Sequence, residues 1–150
     1  MTRVRPQSTY EPTDAPLGRR LEDYLRWVSR RTGSKHIFIA DADGLVIMEM
    51  DADPDVVGIA SLFVSALNQV ASTLSATTHG SICVDLAAGE SLHVVQAETG
   101  LGLHALGFSV STPAQREVVD STRDGLVRVM SPIPDEASLG GRNSEPTESL

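Results

Sequence analysis

Two groups of residues in this chain have types and spacings that could do chemistry. The first is an acid cluster in HIFIADADGLVIMEMDADPD, from His36 to Asp55, where Asp41, Asp43, Asp51, Asp53 and Asp55 lie near Gly44. The second is Cys83, with His93 or His79 as a possible base and Asp85 as an orienting carboxylate. His36 and His104 complete the histidines.

The acid cluster fails as a calcium loop. An EF-hand needs oxygen ligands at positions 1, 3 and 5, glycine at 6 and a bidentate glutamate at 12. With Gly44 at position 6, Ile39 takes position 1 and Met50 takes position 12. Neither side chain can bind calcium. Asp41-Ala-Asp-Gly44 also fits the short D-x-x-G phosphate-site motif. Nucleotide hydrolysis needs in addition a glycine-rich loop ending in lysine. The only lysine is Lys35, in Gly-Ser-Lys-His, which lacks that loop's second glycine. Two strands joined by a turn account for every residue. His36 to Ala40 and Leu45 to Met50 are apolar runs, and Asp41 to Gly44 has turn chemistry. Asp53-Pro54 then reads as a helix cap with proline at the first helical position.

Nucleophilic chemistry at Cys83 would require an adjacent base and a group to orient it. No glycine-rich or nucleophile-elbow pattern surrounds Cys83, and a free cysteine on a strand commonly packs as a small hydrophobe. The expectation is no catalytic residue. His36, His79, His93 and His104 offer at most a pair on one strand face, His93 with His104, and no third ligand for a metal. No glycine-rich turn precedes a helix as a phosphate cradle. No metal or cofactor is expected.

Composition narrows the class. One domain with tails fits 150 residues. A single cysteine excludes an internal disulfide and suits a reducing, cytoplasmic setting. A formal charge of −8 opposes binding to nucleic acid or anionic membranes, and aromatic content of 4% leaves no stacking platform for single strands. The opening residues do not read as a secretion signal. The polar, proline-bearing stretches 1–16 and 131–150 read as disordered tails around a domain spanning 17–130.

The elements follow from periodicity. Leu17 to Arg31 is an amphipathic helix with Leu17, Leu21, Tyr24, Leu25 and Val28 on one face, Trp27 flanking the core and Gly33 as its cap. After the hairpin, Val56 to Val84 contains no charged residue. Serines, threonine, asparagine and glutamine interrupt it, so it does not read as a membrane span. A helix from Pro54 to about Ser75 would put Val56, Ile59, Ala60, Phe63, Leu67, Val70 and Leu74 in the core. Gly58, Ser61, Ser65, Asn68, Ser72 and Ser75 would face outward, with Leu62 and Gln69 beside them. A solvated stripe normally carries charge. This stripe is small and neutral, which suits a protein contact, because charge is depleted at interface cores. Three strands follow, Ser81 to Leu86, Ser91 to Glu98 and Leu101 to Phe108, the last two joined at Thr99-Gly100. Thr112-Pro-Ala-Gln115 reads as a capping box opening a last helix through Met130, ended by Pro132 and Pro134. The order α-β-β-α-β-β-β-α implies α+β: a five-stranded antiparallel sheet with helices on both faces.

This order, together with Ile-Ala-Asp-Ala-Asp-Gly-Leu-Val-Ile at 39–47, the long Ala/Ser/Leu helix, the three-strand meander and the closing helix, resembles the roadblock/dynein light chain family in its bacterial form. The resemblance covers about Leu17 to Met130 and rests on order and texture. It implies a roadblock-like, profilin- or longin-related fold and a symmetric dimer, with itself or with a paralogous subunit. In that dimer the second helix would pack on its mate and the third strand would pair across the axis. Gly58, Ser61, Leu62, Ser65, Asn68, Gln69 and Ser72 would then lie in or beside the seam. Ser81, Cys83 and Asp85 would lie along the paired edge. The resemblance implies a Ras-like small GTPase as partner, regulated or docked without an arginine finger from the central helix. Two alternatives remain: a small-molecule sensor with a pocket under the second helix, and a profilin- or longin-like interaction module without a GTPase.

Overall fold

Among the described residues nine elements follow one another: α1 (Leu17–Thr32), β1 (His36–Ala40), β2 (Val46–Met50), α2 (Pro54–Gly58), α3 (Ala60–Thr73), β3 (Ser81–Asp85), β4 (Ser91–Thr99), β5 (Gly102–Val110) and α4 (Arg116–Val129). The computed structural model describes residues 9–52, 54–58, 60–73, 80–86 and 89–131, without the side chains of Ala60, Ser61 and Ala71. The expected Asp53 cap, Ile59, Leu74, Ser75, His79, Pro132, Pro134 and most of both tails lie outside the described residues.

The strands form one antiparallel sheet in the order β2-β1-β5-β4-β3. Strand alternation splits its side chains between two cores. Ile37, Ile39, Val95, Leu106 and Phe108 face α1 and α4 with Leu21, Tyr24, Val28 and Leu126. Phe38, Ala40, Leu92, Val94 and Ala105 face the other way, against Val64 and Leu67 of α3 and partly buried Val56 and Val57 of α2. The expected α+β sheet with helices on both faces is the observed one.

The turns differ in detail from expectation. Asp41 organises the first hairpin, its carboxylate accepting the N–H of Asp43 at 2.9 Å and of Leu45 at 3.0 Å. Gly44 sits at φ +87°, which only glycine adopts without strain. The β4–β5 turn is Gly100-Leu101, since Thr99 pairs with Gly102. Thr99 Oγ1 accepts the Leu101 N–H at 3.0 Å and donates to Gly102 O at 2.7 Å, which pulls the threonine into the ladder. The capping box at Thr112 does not form. Helix α4 begins at Arg116, and Gln115 makes no side-chain cap bond. The Ala114 N–H instead donates to His93 Nε2 at 3.0 Å, holding this segment against the sheet.

The N-terminal side holds a further difference. Tyr10, expected in a disordered tail, is buried against Tyr24 and Trp27, with ring centroids 5.3 and 5.6 Å away. Helix α4 accepts this cluster at Gly125, where a Cβ would stand 2.8 Å from the Tyr24 ring and 3.0 Å from Tyr10 Cβ. Arg20, on the buried side of α1, donates to the carbonyls of Ala15, Val129 and Ser131 and so ties α1 to the end of α4.

Candidate functional site

Helix α3 turns Val64 and Leu67 into the core and leaves Leu62, Ser65, Ala66, Gln69, Val70, Ser72 and Thr73 exposed. These residues recur at three- and four-residue spacing, so they form one continuous face. None is charged. Leu62 is 67% and Val70 54% exposed, which makes the face apolar as well as neutral. Gly58, on α2, is exposed with open space around its Cα. The neutral stripe therefore exists, rotated from the expected one.

Two residues account for the rotation. Val70, expected in the core, lies outside it. Asn68, expected on the outward stripe, turns inward instead. Its Nδ2 donates to Ala42 O at 3.4 Å, and its Oδ1 accepts a hydrogen bond from Gln96 Nε2. Gln96 is fully buried on β4, facing α3. A buried amide needs a partner, and Asn68 supplies one, so the polar pair helps set which side of α3 faces the sheet.

β3 is an edge of the sheet, and α3 packs over it and β4. Ser81, Cys83 and Asp85 are exposed while Ile82 packs beneath α3. Leu86 N–H donates to Glu90 O at 2.6 Å, and Gln96 N–H donates to Gly80 O at 2.9 Å. Even-numbered residues here thus direct their backbone groups to β4. Alternation leaves the N–H and C=O of Ser81, Cys83 and Asp85 along the outer edge. Among the described residues no strand pairs with this edge, and such an edge is a template for another strand.

Cys83 stands opposite His93, its Sγ 3.6 Å from Nε2. It is exposed, in contrast to the buried strand cysteine expected. The arrangement does not make a nucleophile. The His93 Nε2 lone pair is engaged by the Ala114 N–H, and Asp85 is bonded by Ser91 Oγ at 3.3 Å instead of orienting His93. Burial lowers the His93 pKa, and its ring stacks on Phe108 at 5.1 Å. His104 shares that sheet face, but it pairs with Ala97, four residues along β4 from His93. The separation is about 13 Å, too far for one metal. His36 binds Asp51 O through Nδ1. Among the described residues no group of three metal-ligating side chains occurs.

A groove of about 550 Å³ runs between β3 and α4, lined by Ser81, Cys83, His93, Arg116, Asp120 and Arg123 among others. Arg123 donates to Gln96 O at 3.0 Å and Gly80 O at 3.2 Å and pairs with Asp120 at 3.2 Å. Burial lowers its pKa, and Asp120 acts in the opposite sense. A smaller hollow of about 160 Å³ lies between α1 and β2. Both lie away from α3. No described helix is long and apolar enough to cross a membrane.

A sheet in the order β2-β1-β5-β4-β3, with α1 and α4 on one face and α2 and α3 on the other, defines a roadblock-like α+β domain. Solved structures of MglB share this fold. MglB with a tetrameric arrangement is 18% identical at a TM-score of 0.58, over 85% of this chain and 97% of that one. The gliding protein MglB from Thermus thermophilus is 17% identical at a TM-score of 0.60, over 85% and 98%. Myxococcus xanthus MglB is 17% identical at a TM-score of 0.51, over 68% and 87%. At these identities the likeness is one of fold. No family model matches the chain, and no curated protein matches it in sequence.

Proposed function

We propose that this chain is a non-catalytic, dimeric module that regulates or docks a Ras-like small GTPase. The observation that carries the reading is the exposed, uncharged face of α3, with Leu62 and Val70 turned outward, on a fold shared with MglB. An apolar face without charge is costly to leave in water and fits burial against a second surface. One copy of the face meets its two-fold mate, and the open edge of β3 continues the same contact. The GTPase partner follows from the roadblock resemblance. The acidic hairpin, with Asp41, Asp43 and Asp51, suits encounter with a basic surface.

The test combines light scattering with a hydrolysis assay. The wild-type chain is expected to be a dimer and to co-elute with a Ras-like GTPase loaded with either GDP or a GTP analogue. Faster GTP hydrolysis in the complex marks an activator, and binding without acceleration marks a docking platform. A chain that binds no Ras-like GTPase of its host in either nucleotide state overturns the reading.

A further inference from the structure

We infer that the groove between β3 and α4 receives the Asp85 carboxylate of a second copy of this chain, through a β3–β3 ladder centred on Cys83. This rests on the proposed dimer and specifies its register. The outer edge of β3 offers the backbone groups of Ser81, Cys83 and Asp85. A two-fold antiparallel ladder must centre on one residue facing its own copy. Centring on Ile82 pairs Ser81 with Cys83 and leaves Asp85 opposite residue 79. Centring on Val84 leaves Ser81 opposite residue 87. Only Cys83 as the centre pairs all three outward residues within the strand, Ser81 with Asp85 and Cys83 with itself.

Charge supports the same register. The side chains of Ser81, Cys83 and Asp85 lie on the α4 side of the sheet, as the Cys83–His93 and Asp85–Ser91 contacts establish. Ser81 and Cys83 line the groove with Arg116 and Arg123. A second copy's Asp85, opposite Ser81, would enter that groove. Arg123 is already held by two carbonyls and Asp120. Arg116 forms no ion pair among the described residues and is exposed at the start of α4. It is the cation available to the incoming carboxylate. Two-fold symmetry makes the ion pair twice.

The test uses the full chain, whose only cysteine is Cys83. Paired residues that exchange both hydrogen bonds stand about 5.5 Å apart at Cα, within reach of a short bridge between thiols. Dibromobimane, which joins two neighbouring thiols, is expected to give a covalent dimer in wild type and none in Cys83→Ser. Asp85→Arg is expected to weaken the dimer about tenfold, since each of two attractions becomes a repulsion. Asp85→Asn weakens it less, in the same direction. Arg116→Asp combined with Asp85→Arg restores it. A wild-type dimer that does not bridge, or that is indifferent to Asp85→Arg, overturns this register and leaves the proposed dimer standing. A wild-type monomer overturns the dimer itself.

Discussion

Single side chains hold the sheet and its helices in place. At Gly107 of β5 a Cβ would lie 2.2 Å from the Phe38 ring, because Phe38 lies across the neighbouring strand on the α3 side. Gly107→Ala is therefore expected to cost about 1–3 kcal/mol through overpacking, read as a lower midpoint in urea with the slope unchanged. His93 makes a pH prediction. Burial holds its folded pKa below the value of about 6.5 in the unfolded chain. The unfolded state therefore takes up the proton first. Stability from this group is complete above about pH 6.5 and is lost as pH falls through that value toward the folded one. Protonation also removes the lone pair that accepts the Ala114 N–H. His93→Gln keeps an acceptor without a charge, and its unfolding free energy should fall less than wild type between pH 7.5 and 5.5. An equal fall in both proteins would place the acid sensitivity elsewhere.

Helix α3 is where local pattern and tertiary contact diverge. Its lack of charge was legible in the sequence and is the feature that survives as the candidate surface. Its rotation was not legible, because Asn68 and Gln96 are 28 residues apart and only the sheet brings them together. A search for buried glutamine on an apolar strand would have pointed to Gln96 and its need for a partner. The exposed face yields a separable prediction. Leu62→Lys and Ser65→Glu change residues that touch solvent, so each should alter the monomer's stability by less than about 0.5 kcal/mol. Each should nevertheless convert the dimer to a monomer in light scattering, because a charge would be buried without a partner. Variants that remain dimeric would move the seam off α3. The start of α4 shows the same divergence. Thr112-Pro-Ala-Gln115 has the letters of a capping box, but the sheet claims the Ala114 amide through His93, and the helix begins later.

At the scale of the molecule, two long-range contacts bind the layers on one face of the sheet. Tyr10 completes an aromatic group with Tyr24 and Trp27 over Gly125, and Arg20 joins α1 to the carbonyls after α4. Tyr10→Ala removes a buried ring packed against Tyr24 and Trp27. It should cost about 3 kcal/mol and lower the melting temperature by roughly 10 °C for a domain of this size. A melting temperature within a degree or two of wild type would show that the N-terminal segment is dispensable to the fold. The burial of Tyr10 is not legible in the sequence, because its neighbours are polar and prolines flank the segment. One aromatic residue without periodicity gives no local signal of burial.

The sequence by itself determined the five strands in their chain order, the α+β class, the boundaries of β1 and the Gly33 cap of α1, because period, glycine and proline act over a few residues. It also determined that the middle of the chain carries no charge, which is the basis of the proposed contact. The tertiary structure decided which side of α3 faces out, which backbone groups of β3 face away from β4, and that Arg116 stands in the same groove as Ser81 and Cys83. Those facts depend on strand register and helix rotation, which are set by contacts between residues far apart in the chain. Local propensity carries no record of them.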